Sequence, residues 1–412
     1  MALAGGSSVT VQPGQSKQSG YMIPLILVTS LFFLWGLAYG FLDVLNKHFQ
    51  ETLNITKSRS LLLQAAYFGA YFVAAWPAGM FMNKYGYKKG IILGLLLYTT
   101  GAFLFYPAAQ LTSFEFFLFA LFVIASGLAC LETAANPYIT VLGPPETGSF
   151  RLNLSQCFNG VGAFSGPLIA ASLFFGEGRN SGGELESVKM VYIVIGVVVL
   201  VVAGLFVRTP LPEIKESELT STQSQDKKPL IKHSHFVHGV VAQFFYVAGQ
   251  VGIAALFINY CTESGLGITN EVASYLLSVS LMLFTIGRFA GTALMRKIAP
   301  NKLLAAYAVF NVIFCLVVAF VHGWVSIYSL MAIFFFQSIM FPTIFALGIK
   351  DLGHHTKKGS SVLIMSIVGG AIMPVIMGLV VLKFSTAISY LVPMVGFIHI
   401  AWYGWRGYRV KT

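Results

Sequence analysis

Leu131-Glu132-Thr133-Ala134-Ala135-Asn136-Pro137 closes an apolar run, Phe114 to Cys130, that is long enough to make most of a membrane crossing. A carboxylate there needs a reason. Charge at the centre of a spanning helix costs about 2.5–3.5 kcal/mol even on insertion scales, so ionisable residues at that depth face a cavity or a partner. Glu132 and Asn136 are four apart and share a helix face, and Pro137 removes a backbone donor just beyond them. The stretch is therefore read as part of a transport pathway in which Glu132 carries a titrating proton. The plainer alternative is a carboxyl that only hydrogen-bonds a neighbouring helix.

Composition agrees with a membrane setting. Of 412 residues, 56% are hydrophobic and only 10% charged, where a soluble domain carries about 25% charged residues. Mean hydropathy is +0.77. A net charge of +11 is explained by basic loops held on one side of a bilayer rather than by nucleic acid, so no nucleic-acid partner is expected. Cys130, Cys157, Cys261 and Cys315 all fall in apolar segments without metal-ligand or CxxC spacing and read as small core residues. Residues 1–21 form a polar tail without the charged-then-apolar order of a cleaved signal, so the first span is expected to serve as the uncleaved one.

Hydropathy marks about twelve spans. They start near Met22, Ser60, Lys89, Ser113, Leu152 and Val188 in the first part of the chain, and near Phe236, Asn270, Leu303, Val325, Ser360 and Ala387 in the second. Lys84, Lys88, Lys89, Arg151, Arg208, Lys227, Lys228, Arg296, Lys350 and Lys357 all fall on one set of connections. The other set holds only Lys47, Lys57, Arg59, Arg179, Lys189 and Lys383, so both termini are expected in the cytoplasm of a multi-pass cell-membrane protein. The longest polar connection, 208–235, has too little apolar content to fold alone and divides the chain. The units are thus a tail at 1–21, a six-helix bundle at 22–207, the linker at 208–235, a second bundle at 236–405 and a tail at 406–412.

The two halves resemble each other. Pro137-Tyr-Ile-Thr-Val-Leu-Gly143 corresponds to Pro342-Thr-Ile-Phe-Ala-Leu-Gly348 at a constant offset of 205, and Gly79-Met-Phe-Met-Asn83-Lys84 corresponds to Gly291-Thr-Ala-Leu-Met295-Arg296. The expected architecture is all-α and polytopic: the major facilitator fold, twelve transmembrane helices in two six-helix pseudo-repeats, with substrate held near mid-membrane between them. The loop at Gly79, Asn83, Lys84, Gly86 and Lys88, with Lys89, has the outline of that superfamily's gating signature, with Asn83 where an Asp is usual. Its basic residues can cap a helix C-terminus; a plain positive-inside loop accounts for them equally well.

Asp43 is the second intramembrane acid, near the outer end of the first span, and two acids at different depths can pass one proton in stages. An ordinary helix-end residue at the interface is the alternative for Asp43. Gln156 and Asn159, three apart on the fifth span, share a face, and primary amides offer both donor and acceptor to adjacent sugar hydroxyls. Gln250 is the best counterpart from the second half, and Asn136 lies one turn from Glu132. Amides of this kind also serve as interhelical glue. Trp35, Trp76, Tyr246 and Phe341 offer ring faces for an apolar sugar face or for simple packing. His233, His235, His238, His354 and His355 lack the Cys or acid partners of a metal site. No nucleophile elbow, P-loop or HExxH pattern is present, which argues against an enzyme and against ATP-driven pumping. Asn54-Ile55-Thr56 is a glycosylation triplet on the outer side.

Together Leu131-Glu-Thr-Ala-Ala-Asn-Pro137, Phe150-Arg-Leu-Asn-Leu154 with Gln156 and Asn159, Ile286-Gly-Arg-Phe289, Pro342-Thr-Ile-Phe345, Leu347-Gly-Ile-Lys350 and Lys358-Gly-Ser-Ser361 resemble the L-fucose:proton symporter family of the major facilitator superfamily. The resemblance runs through nearly every span. It implies a monosaccharide importer working by alternating access, with Asp43 and Glu132 handling protons and Gln156 and Asn159 contacting sugar. It implies no cofactor beyond the coupling proton, and a protein working as a monomer in the lipid bilayer. Fucose permeases carry Asn residues just before the first acid, where this chain has Gly40, Phe41 and Leu42, and relatives carry glucose, galactose or fructose. Sugar facilitation, sodium coupling and a non-transporting sugar sensor are the alternatives.

Overall fold

A computed structural model describes residues 22–55, 59, 62–142, 144–175, 184–211 and 229–410, without the side chains of 22, 43, 44, 46, 47, 50, 51, 145, 167, 168, 170–175, 184, 270 and 271. The polar tail at 1–21 and most of the 208–235 linker lie outside the described residues. Every regular element among them is helical. The first six crossings are Met22–Thr52, Leu62–Tyr85, Tyr87–Gln110, Phe114–Val141, Gly148–Phe175 and Glu184–Arg208. A 24-residue helix rises about 36 Å at 1.5 Å per residue, enough to span the hydrocarbon core.

The second half is more broken. Its crossings are Ser234–Ala255 continued by Phe257–Glu263, Asn270–Leu294, Pro300–Phe320, Trp324–Gln337 continued by Met340–Gly348, Thr356–Met365 continued by Gly369–Lys383, and Thr386–Ser389 continued by Leu391–Trp402. Together with the first six they make twelve crossings.

The packing repeats. In the first half crossing one packs on five, two on four, and three on both four and six; in the second half seven packs on eleven, eight on ten, and nine on both ten and twelve. The shared pattern is what parallel repeats require. Small residues set the closest approaches, because lipid supplies no hydrophobic drive between helices and backbone contact must do so. A Cβ on Gly162 would sit 2.3 Å from the Phe33 carbonyl oxygen, and one on Gly166 2.9 Å from the Gly40 Cα, so crossings one and five touch backbone to backbone. Gly40 is thus a packing requirement, and Phe41 and Leu42 beside it are buried. The sixth crossing turns Val194, Val197, Val201 and Leu205 outward, the apolar face a bilayer covers.

Between the halves, crossing two packs on eleven and five on eight, each pair the repeat image of the other. The basic-loop ends are drawn together: Lys357 lies 4.8 Å over the Tyr87 ring and Arg296 5.4 Å over Phe150. Gly79 is the tightest point, since a Cβ there would fall 1.7 Å from Ser361 Oγ.

Candidate functional site

The fourth crossing is helical through the whole of 131–137, Pro137 included, and every residue from Gly127 to Ile139 is buried. Glu132 is 7% exposed. Tyr71, from crossing two, donates its hydroxyl proton to Glu132 Oε1 at 2.7 Å. Immediately beyond, the Thr133 carbonyl accepts from Ser360 Oγ of the second half at 2.8 Å. The carboxyl therefore sits just above a bonded seam between the halves. One turn further, Asn136 is fully buried and neither of its amide atoms has a hydrogen-bond partner.

Across the seam stands Arg288, to which the sequence reading assigned no role. It is 6% exposed, on the eighth crossing, and within electrostatic reach of Glu132. Its Nη1 donates to the Gln156 carbonyl at 2.7 Å, to Gln156 Oε1 at 3.3 Å and to Asn159 Oδ1 at 2.9 Å. Its Nε donates to the Ser338 carbonyl at 3.2 Å, and the guanidinium lies 4.6 Å over the Phe284 ring. The local sequence explains both ends. Crossing ten is interrupted between Gln337 and Met340, which frees the Ser338 carbonyl. Gly287, next to Arg288, brings the eighth helix close enough, since a Cβ there would fall 2.6 Å from the Phe335 carbonyl oxygen. A guanidinium with five donors is the side chain able to hold two helices and two amides at once. The signal that could have found it is the argument applied to Glu132: a charge inside an apolar span.

The structure thus brings Glu132, Gln156 and Asn159 to one seam. Asn159 also donates from Nδ2 to the Phe32 carbonyl at 3.3 Å, and the Phe32 ring packs 4.1 Å from Trp35, which places Trp35 beside the amide pair. On the other side, Tyr246 lies in the field of Arg288, and Phe341 packs 6.2 Å from the Tyr246 ring. Gln250 is half-buried, one turn along the same helix from Tyr246. Trp76 is turned away: with Phe72, Val240 and Phe244 it lines an apolar groove. Asp43 is on the first helix, but its side chain lies outside what the structure describes.

Each loop residue has a distinct place. Gly79 makes the tight crossing described above. Asn83 and Lys84 are exposed, with Lys84 5.1 Å over the Tyr85 ring. Gly86 adopts φ +86°, the left-handed region where a side chain is strained, and so permits the abrupt turn between crossings two and three. Lys88 Nζ donates to the Val207 and Thr209 carbonyls at 3.0 and 2.9 Å, capping the C-terminal end of crossing six. The four cysteines are free and buried. Among the described residues no cluster of three or more His, Cys, Asp or Glu could hold a metal ion.

Residues 26–373 match the Major Facilitator Superfamily model. The chain is 40% identical over 394 residues to the L-fucose-proton symporter of Escherichia coli strain K12, covering 90% of each. It is 34% identical over 395 residues to a glucose/galactose transporter of Brucella abortus biovar 1 (strain 9-941), covering 95% of this chain and 96% of that one. Its backbone superposes with a TM-score of 0.84 on the crystal structure of a Major Facilitator Superfamily transporter, FucP, in the outward conformation, at 38% identity, covering 95% of this chain and 100% of that one. Repeat packing, the buried acid at the seam and these likenesses lead to one assignment: the chain is a membrane transporter of the L-fucose:proton symporter family within the Major Facilitator Superfamily.

Proposed function

We propose that this protein imports a monosaccharide by proton symport, with Glu132 as the proton carrier. The observation that carries the reading is a carboxyl buried at the floor of the inter-half seam, hydrogen-bonded by Tyr71 and opposed by Arg288. A charge in that position is costly, and water reaches or leaves it as the halves rock, so its protonation is tied to which side is open. Relatives named as an L-fucose-proton symporter and as glucose/galactose transporters support the sugar class. The substrate is L-fucose or a related hexose.

In the cycle, the halves begin bonded at their basic-loop ends and open on the opposite, outward side. With both termini on the basic-loop side, that side is the cytoplasm. The bonds that close it run from Asn153–Thr343 at 3.2 Å up to Arg288–Asn159 at 2.9 Å. Gln156 and Asn159 then exchange their bonds to Arg288 for bonds to sugar hydroxyls, with Trp35, Phe341 and Gln250 around the ring. Protonation of Glu132 removes the charge that Arg288 faces across the seam and frees the halves to rock about bound sugar. Asp43 is the outer acid that supplies or couples the proton. No cofactor is needed, and one chain in a lipid bilayer carries the whole pathway.

The test is uptake of a panel of labelled monosaccharides into vesicles holding the purified protein, with and without an imposed inward proton gradient at fixed Na⁺. Accumulation of one sugar only with the gradient supports symport and names the substrate. Equilibration regardless of the gradient overturns proton coupling.

A further inference from the structure

The seam leaves open how a proton reaches a carboxyl so enclosed, and the neighbours of Glu132 narrow the answer. On the second-half side stands Arg288, a guanidinium that repels an approaching hydronium and does not give up its own proton. The amides of Gln156 and Asn159 are bonded to that same guanidinium. The remaining side is crossing two. There Tyr67 and Tyr71, four apart on one face, place their hydroxyl oxygens 3.4 Å from each other, and Tyr71 reaches Glu132 Oε1 at 2.7 Å. Both tyrosines are almost fully buried, and Tyr67 packs 6.1 Å from the ring of Tyr39, which is 40% exposed. Crossing two runs inward from Leu62 to Tyr85, so Tyr67 is the hydroxyl nearer its outer end.

From this geometry we infer that the Tyr67 and Tyr71 hydroxyls are the proton's way into Glu132, a file separate from the amides that meet the sugar. The inference rests on the proton-symport reading above. In one passage, hydronium at the Tyr39 end, the stretch of crossing one that also carries the outer acid Asp43, gives a proton to Tyr67 Oη. Tyr67 releases its own hydroxyl proton to Tyr71 Oη, and Tyr71 releases its own to Glu132 Oε1. One proton enters, one carboxyl is neutralised, water is left behind, and no electron changes hands. Both hydroxyls then rotate back to accept again. The 3.4 Å gap closes to ordinary hydroxyl distance with about half an ångström of movement. The file also gives the two ligands separate entrances, so bound sugar does not block protonation. The titratable and charged groups facing Glu132 are Tyr67, Tyr71 and Arg288, and Tyr98 of crossing three faces Tyr67.

The test uses the full-length protein in vesicles and the Tyr67→Phe variant, which keeps the ring, removes one hydroxyl and does not touch Glu132. Two rates are compared: gradient-driven sugar uptake, which needs a proton delivered each cycle, and sugar counterflow at equal pH on both sides, which does not. The expected result is a loss of about 100-fold in gradient-driven uptake, the lower range of effects for removing a positioned proton-transfer group. Counterflow stays at the parent level, and the solvent deuterium isotope effect on uptake rises because proton delivery has become slow. Tyr71→Phe, which removes the hydroxyl bonded to Glu132, shows the same fall in gradient-driven uptake and the same rise in the isotope effect. Unchanged gradient-driven uptake in Tyr67→Phe overturns the file. So does an equal fall in uptake and counterflow with no isotope effect, which marks a packing role. Should Tyr67→Phe not fold, the solvent isotope effect on uptake by Tyr71→Phe decides: a rise supports the file and an unchanged value overturns it. Failure of the parent protein to accumulate sugar under the gradient is a different result and overturns the symport reading instead.

Discussion

Gly79→Ala is the smallest change that acts on the closed seam. The new Cβ would lie 1.7 Å from Ser361 Oγ, 2.9 Å from Ser361 Cβ and 3.2 Å from the Lys357 carbonyl oxygen. Rotating the Ser361 hydroxyl, which now donates to Lys357 at 3.1 Å, relieves the first contact but leaves the second, which involves an atom fixed to the backbone. Helices two and eleven must then separate by several tenths of an ångström. Overpacking of this kind costs about 1–3 kcal/mol. Because the strain exists only while the basic-loop ends are together, it shifts the equilibrium away from that state by roughly five- to 140-fold, at about 1.4 kcal/mol per tenfold. Cys157 lies at the same seam, 3.7 Å from Thr292 Oγ1, so in a Cys157→Ser background, where the other native cysteines are buried, a single introduced thiol reports the shift. Ala346→Cys, 8% exposed on crossing ten and one turn from Thr343, should be alkylated about five-fold or more faster from the basic-loop side when Gly79→Ala is added. Ser361→Gly, which deletes both clashing side-chain atoms, should return the rate most of the way. If Gly79→Ala leaves alkylation unchanged, or Ser361→Gly fails to compensate, the crossing at Gly79 is not what holds the halves together.

Glu132→Gln retains an acceptor for Tyr71 and removes the titration; gradient-driven accumulation is expected to vanish while counterflow persists, and retained accumulation would end the carrier assignment. Arg288→Lys keeps the charge without the fork that bonds Ser338, Gln156 and Asn159 together, so sugar uptake should fall about tenfold or more, nearly as far as with Arg288→Met; a fully active lysine variant would show that charge alone suffices. Lys88→Ala uncaps the carbonyls of Val207 and Thr209, and a loss of about 0.3–1 kcal/mol should appear as a small drop in thermal midpoint in detergent with transport nearly intact.

Much of the site was legible residue by residue. Glu132 stood out because a charge in an apolar run is expensive wherever the helix packs, and Gln156 and Asn159 because their spacing puts two amides on one face. The same cost applied to Arg288, but its meaning depends on which helix lies opposite, and that information is 129 to 132 residues away in the chain. Tyr67 and Tyr71 carried still less signal, since a tyrosine in a span is ordinary and only its partner gives its hydroxyl a role. Trp76 shows the converse: ring chemistry suited to sugar, turned into an outer groove by helix rotation.

The amino-acid order alone determined what depends on local chemistry: helices from backbone satisfaction in lipid, their number from hydropathic length, and the two halves from repeated motifs. Tertiary structure alone decided which polar groups meet. It set Arg288 against Gln156 and Asn159, Tyr71 against Glu132, and Gly79 against Ser361. Those pairings come from the rotation and depth of each helix, fixed by small-residue crossings and a helix break that act over the whole bundle, so no window of sequence contains them.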